Sequence, residues 1–180
     1  SGEPDQEGAV EGFRVKPNGS LRSIKHSRRV LENRPSAIQF SPDGRFLVVS
    51  SINAGSSALA SKNQDAITVF GVQRNGRLTE KPIDGATSTL RGNTEGRNLP
   101  SAIGFEIVED DGRQFVVVTE AREFQPDGTP PAFPNLQSGS VSTWELTEDG
   151  RLKAINLDVI AGTNFFNGER TACWIEFTDD

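Results

Sequence analysis

One short pattern occurs three times in this chain, at residues 8–21, 65–78 and 139–152. Apolar residues alternate with polar ones in each copy: Val10, Phe13 and Val15, then Ile67, Val69, Phe70 and Val72, then Val141, Trp144 and Leu146. A polar pair follows (Asn18-Gly19, Asn75-Gly76 or Asp149-Gly150) and leads to Leu21, Leu78 or Leu152. Alternation with period two marks a half-buried strand, and Asn-Gly or Asp-Gly supplies the positive φ that a tight hairpin turn needs. The chain therefore stamps the same hairpin three times.

A second repeat is interleaved with the first. Pro35-Ser-Ala-Ile-Gln-Phe40 returns as Pro100-Ser-Ala-Ile-Gly-Phe105 and, more loosely, as residues 170–175. An Asp-Gly turn follows the first two (Asp43-Gly44 and Asp111-Gly112), and then come valine-rich runs at residues 45–50 and 114–119. Such runs suit strands buried on both faces. Together the repeats describe a four-stranded antiparallel unit, and units of this size in series are the signature of a β-propeller.

The expected fold class is all-β, with about three blades of a seven-bladed ring, a blade number taken from the family resemblance described below. The end of one blade falls at 8–25, a second blade at 35–84, a third at 100–158, and the first strand of a fourth at 170–180. Two complete units flanked by partial ones leave bare strand edges. The remaining blades are accordingly expected from the same parent chain or from another chain.

Within each unit, the connections between first and second strands and between third and fourth strands are tight turns. The others are long: 51–64, 120–138, 23–34, 84–99 and 158–169. Strands alternate in direction, so the two sets emerge at opposite ends, and the end with long loops is the expected functional face.

Composition agrees with this reading. Eighteen Gly and ten Pro suit a turn-rich all-β chain. Twenty-five acidic against nineteen basic residues, a formal charge of −6, argue against a nucleic-acid-binding surface. No apolar run approaches the roughly 20 residues of a membrane span.

The run from Pro35 to Val49, the Phe-Val-Val-Val-Thr-Glu-Ala-Arg segment at 115–122 and the Gly-Ser-Val-Ser-Thr-Trp hairpin at 139–144 resemble the seven-bladed lactonase family. That family includes 6-phosphogluconolactonases and 3-carboxy-cis,cis-muconate cyclases, and the chain looks most similar to secreted fungal members. The resemblance implies a lactone or muconate-type dicarboxylate as substrate, no metal or other cofactor, and either a hydrolase or an isomerase activity. In the cyclases a glutamate at the end of a second strand and an arginine after the proline opening a first strand belong to the active site. Glu120 falls on the glutamate position, and Ser101 stands where the arginine is expected.

The residues suggest the same neighbourhood on their own. Glu120 ends a buried strand at the long-loop face, where a carboxylate can act as general base, and Arg122 beside it can hold a substrate carboxylate in a fork. Alternatively, the two pair with each other and anchor the loop. Arg97 and Arg170, with Arg34, precede first strands and either converge as an anion-binding funnel or cap loop ends in solvent.

His26, the only histidine, sits in the basic run Lys25-His-Ser-Arg-Arg29 and is either a catalytic group or a surface residue. Cys173 alternates as a buried hydrophobe would, with a reactive thiol as the other reading. Asp65 and Asn63 show no calcium-loop spacing. Phe133 in the Pro-rich loop 126–134 and the pair Phe165-Phe166 serve either partner binding or packing.

Asn18-Gly19-Ser20 is a glycosylation sequon on an exposed turn, which points towards secretion, with a cytoplasmic location as the alternative. The expected function is a lactonase or cyclase, with Glu120 transferring a proton and Arg97, Arg122 or Arg170 holding a small anionic substrate. The alternative is a secreted, non-catalytic propeller that presents its loops to a surface ligand.

Overall fold

The computed structural model describes residues 8–31, 34–52, 65–87, 101–121, 140–160 and 175–178. Among these residues every regular element is a β-strand. The first repeat forms β1 (Gly8–Val10), β2 (Phe13–Val15), β3 (Leu21–Ser23) and β4 (Arg29–Leu31). β2 pairs with β3 and β1 with β4, so the two pairs are one interrupted hairpin.

The middle sheet follows as β5 (Arg34–Phe40), β6 (Phe46–Ile52), β7 (Asp65–Gly71) and β8 (Asp84–Thr87), in chain order and antiparallel throughout. The last sheet repeats that order with β9 (Ser101–Asp110), β10 (Arg113–Ala121), β11 (Ser140–Leu146) and β12 (Leu152–Ile160). These are the four-stranded units expected from the repeats. The turn glycines Gly19, Gly44, Gly76, Gly112 and Gly150 all have positive φ.

The fourth strands differ from expectation. In the first hairpin the Ile24 amide donates to the Gly12 carbonyl at 2.9 Å, yet the next partners are Val10 and Arg29, so Glu11 alone faces residues 25–28. The middle sheet repeats this wide bulge: Thr79 donates to Gly71 at 2.8 Å, the next pair is Val69 and Asp84, and Phe70 faces residues 80–83. β4 and β8 therefore lie inside segments read from sequence as loops (23–34 and 84–99). Each strand resumes beyond an insertion, and neither Arg-Val-Leu nor Asp-Gly-Ala-Thr is long enough to show alternation.

Two apolar layers join the sheets. Val10 and Leu31 of the first hairpin pack with Leu47, Val49, Phe70 and Leu78 of the middle sheet. On its other face the middle sheet gives Phe46, Val48, Ile67 and Val69, which meet Phe105, Ile107, Val116, Val118, Trp144 and Leu146 of the last sheet. β6 is thus buried on both faces, as its valine-rich run predicts. Gly150 is also fixed by this stacking: φ is +82°, and a Cβ there would lie 2.5 Å from the Phe46 ring.

Polar links cross the same interfaces. The Arg29 guanidinium donates to the carbonyls of Leu78 and Thr79 at 2.5 and 2.6 Å, while also binding those of His26 and Arg28. At the next interface the Asp84 carboxylate accepts from the Leu152 amide at 2.8 Å. Arg29 and Asp84 each open a fourth strand just after its bulge, and Leu78 and Leu152 occupy the same repeat position. The bulges therefore carry a polar side chain across to the neighbouring hairpin.

The turn at 41–45 is held by charge. Burial raises the pKa of the Asp43 carboxyl, but hydrogen bonds from the Ser41 hydroxyl at 2.6 Å and from the Arg45 amide and guanidinium at 3.0 and 2.6 Å outweigh it and lower the value to about 2. A depressed carboxyl pKa contributes stability above the ordinary value of 3.8, and that contribution is lost as pH falls through about 2. Asp43→Ala is expected to cost about 1–2 kcal/mol at pH 7. The difference from wild type should shrink towards pH 2 in urea titrations. Phe70→Ala, between two sheets, should cost about 3–5 kcal/mol. Ile155→Ala, on an exposed stretch of β12, should stay within about 0.5 kcal/mol.

Candidate functional site

The first strands of the two complete sheets run side by side in the same direction. The Ser36 hydroxyl donates to the Ala102 carbonyl at 2.8 Å, and Gln39 Oε1 accepts from the Ile107 amide at 3.2 Å. A third segment, Ile175 to Thr178, comes up against them as irregular chain, and the Phe177 amide donates to Glu106 Oε2 at 3.0 Å. These three stretches are the three copies of the second sequence repeat or its continuation. Between them lies an open groove of about 500 Å³, lined by Gln39, Phe105, Glu106, Ile175 and Glu176.

The same end of the two sheets collects the beginnings of β5, β7, β9 and β11 and the ends of β6, β8, β10 and β12. The chain at 53–64, 88–100 and 122–139 leaves and re-enters there, whereas the turns at 41–45, 73–77, 110–113 and 147–151 close the opposite end. Glu120 stands in β10 at the first of these ends, with its main chain paired to Ala102 of β9 and Ser140 of β11. The β9 to β10 register shifts between Thr119 and Glu120, a bulge beside the residue singled out from sequence.

Nothing beyond its main chain is described for Glu120. Arg97, Arg122, Arg170, Cys173, Asn63, Phe133, Phe165 and Phe166 lie outside the described residues, as do the side chains of Arg34, Asp65 and Ser101. Among the described residues that line the groove, Glu106 and Glu176 are acidic and none is basic.

Two further expectations fall on described residues. His26 is exposed at the tip of the first bulge with φ +63°, in the left-handed region, and its carbonyl accepts from Arg29 at 3.0 Å. This makes His26 part of the inter-sheet clamp and places it on the first hairpin rather than on the strands that line the groove. Asn18 is exposed in its turn, where Oδ1 accepts from both the amide and the hydroxyl of Ser20 at 3.1 and 2.8 Å.

The sequence reading missed a serine cluster near the loop end. Ser36 and Ser50 hydroxyls lie 2.9 Å apart, the Ala37 amide donates to Ser50 Oγ at 3.2 Å, and Ser50 and Ser51 are buried. Ser51 holds in the middle sheet the repeat position that Glu120 holds in the last sheet, which is the signal that finds it. Among the described residues, no group of three or more His, Cys, Asp and Glu is placed to hold a metal ion. No described helix is long and apolar enough to cross a membrane.

No protein-family model matches the chain, and no curated protein matches its sequence.

Proposed function

We propose that the sheets are blades of a β-propeller of the lactonase kind, arranged around a channel that the groove lines in part. The observation that carries this reading is the convergence of β5, β9 and residues 175–178 on one groove, since first strands line the axis of a propeller. The substrate class is a lactone or a muconate-type dicarboxylate, held at the end where the long connections meet. Glu120 transfers the proton, and Arg97, Arg122 or Arg170 holds the substrate carboxylate. The remaining blades come from the parent chain or another chain and complete the channel.

A second reading draws on Asn18. An exposed sequon asparagine whose turn bonds use only Oδ1 suits a secreted glycoprotein that presents its loops for recognition without catalysis. Turnover of a sugar δ-lactone and of a carboxylated cis,cis-muconate, followed by proton release or uptake, separates the two. The enzyme reading expects turnover that falls at least about 100-fold in Glu120→Gln with the circular-dichroism spectrum unchanged. Unchanged turnover in that variant removes Glu120 from the mechanism. No turnover by wild type contradicts the enzyme reading and leaves recognition.

A further inference from the structure

The two complete sheets each carry a bulge near the same end. In the middle sheet Pro35 is opposite Ser51 and Ala37 opposite Ser50, so Ser36 is left unpaired in β5. In the last sheet Ala102 is opposite Glu120 and Gly104 opposite Thr119, so Ile103 is left unpaired in β9. A bulge breaks the ladder and bends the chain beside it, so its geometry is held by bonds that the ladder does not supply.

Hydroxyl groups supply those bonds. Ser50 and Thr119 occupy the same position in β6 and β10, and both are buried. Ser50 Oγ accepts from the Ala37 amide at 3.2 Å, and Thr119 Oγ1 donates to the Gly104 carbonyl at 3.0 Å. In each sheet the hydroxyl thus binds the main chain of the residue directly opposite it, next to the bulge.

Ser36 joins the two bulges across the sheet boundary. Its hydroxyl donates to the Ala102 carbonyl at 2.8 Å, and its oxygen lies 2.9 Å from Ser50 Oγ. A hydroxyl has one proton to donate, and that of Ser36 points at Ala102, so the proton between the two serines belongs to Ser50. The bonds therefore run one way: from the Ala37 amide to Ser50, from Ser50 to Ser36, and from Ser36 to the Ala102 carbonyl. Hydrogen bonds aligned head to tail polarise and strengthen one another. Ala102 is 0% exposed, so no bulk water stands ready to replace a lost donor at its carbonyl. With Thr119 on Gly104 and Ser36 on Ala102, both carbonyls that flank Ile103 are held.

Ala102 is also the residue opposite Glu120. We infer that Ser36, supported by Ser50, is a positioning residue for Glu120. The hydroxyl chain fixes the β9 bulge and, through the pairing of Ala102 with Glu120, the height at which β10 brings the Glu120 main chain to the loop end. Its effect on turnover rests on the reading of Glu120 as the proton-transfer group, whereas its hold on the bulge does not.

Ser36→Ala, Ser36→Thr and Ser50→Ala test this role, with Thr147→Ala as a control that removes a hydroxyl from the turn at the opposite end of the last sheet. In Ser36→Ala, amide exchange at residues 102–104 and 119–121 should quicken at least about 10-fold while β7 exchanges as in wild type. Ser50→Ala should act in the same direction, Ser36→Thr should match wild type, and Thr147→Ala should leave those residues unchanged. Unchanged exchange in Ser36→Ala, or a loss of protection shared by all strands, overturns the inference whether or not the protein is an enzyme. Turnover gives the second readout: kcat of Ser36→Ala should fall about 10-fold with KM within about twofold, and Ser36→Thr should restore it. Full kcat in Ser36→Ala, where Glu120→Gln abolishes turnover, also overturns the inference. No turnover by wild type instead contradicts the enzymatic reading, and the exchange result alone then decides whether the hydroxyl chain holds the bulge. If Ser36→Ala fails to fold, Ser50→Ala carries both tests.

Discussion

Burial of β6 and β7 on both faces is the constraint from which the rest of the structure follows. Leu47, Val49 and Phe70 point towards the first hairpin, and Phe46, Val48, Ile67 and Val69 towards the last sheet. Each such side chain removed from water contributes about 1.5–3 kcal/mol, so this pair supplies much of the driving force that stacks the sheets. A sheet buried on both faces has its hydrogen-bonded edges as its remaining polar boundary. The links at Arg29, Ser36, Gln39 and Asp84 cross near those edges and set the height of one sheet against the next. Apolar contact is non-directional, and these polar contacts supply the register.

Much of this order was legible in the sequence. Alternation at 65–72 and 139–146, the Asn-Gly and Asp-Gly pairs, and the valine runs after Asp43-Gly44 and Asp111-Gly112 specify strands, turns and burial through local chemistry alone. The fourth strands were not legible for a physical reason. β4 and β8 are short and begin after four-residue insertions, and their pairing depends on β1 and β7 rather than on their own composition. Arg29 illustrates the same point. Within Lys25-His-Ser-Arg-Arg29 it reads as one more solvated cation, whereas its guanidinium meets two carbonyls of its own loop and two, of Leu78 and Thr79, that only the folded stack brings to it.

The candidate site divides in the same way. The repeat placed Glu120 at a strand end, and the strand pairing puts it at the end of the sheets opposite the tight turns, beside a register shift. The groove formed by β5, β9 and residues 175–178 was only implicit, because it is made by strands distant in sequence and by their parallel alignment. Its acidic lining at Glu106 and Glu176 follows from side-chain alternation that no motif announces. The strands fix where the longer connections begin and end, and the sequence of those connections has no repeat to compare.

Amide hydrogen exchange resolved by residue tests the two-sided burial most directly. The slowest exchange is expected in β6 and β7, with β10 and β11 close behind, and the fastest among the strands in β2 and β3, whose apolar face no described residue covers. Protection that is equal across all strands, or greatest in β2 and β3, would contradict a fold organised around a middle sheet buried on both sides.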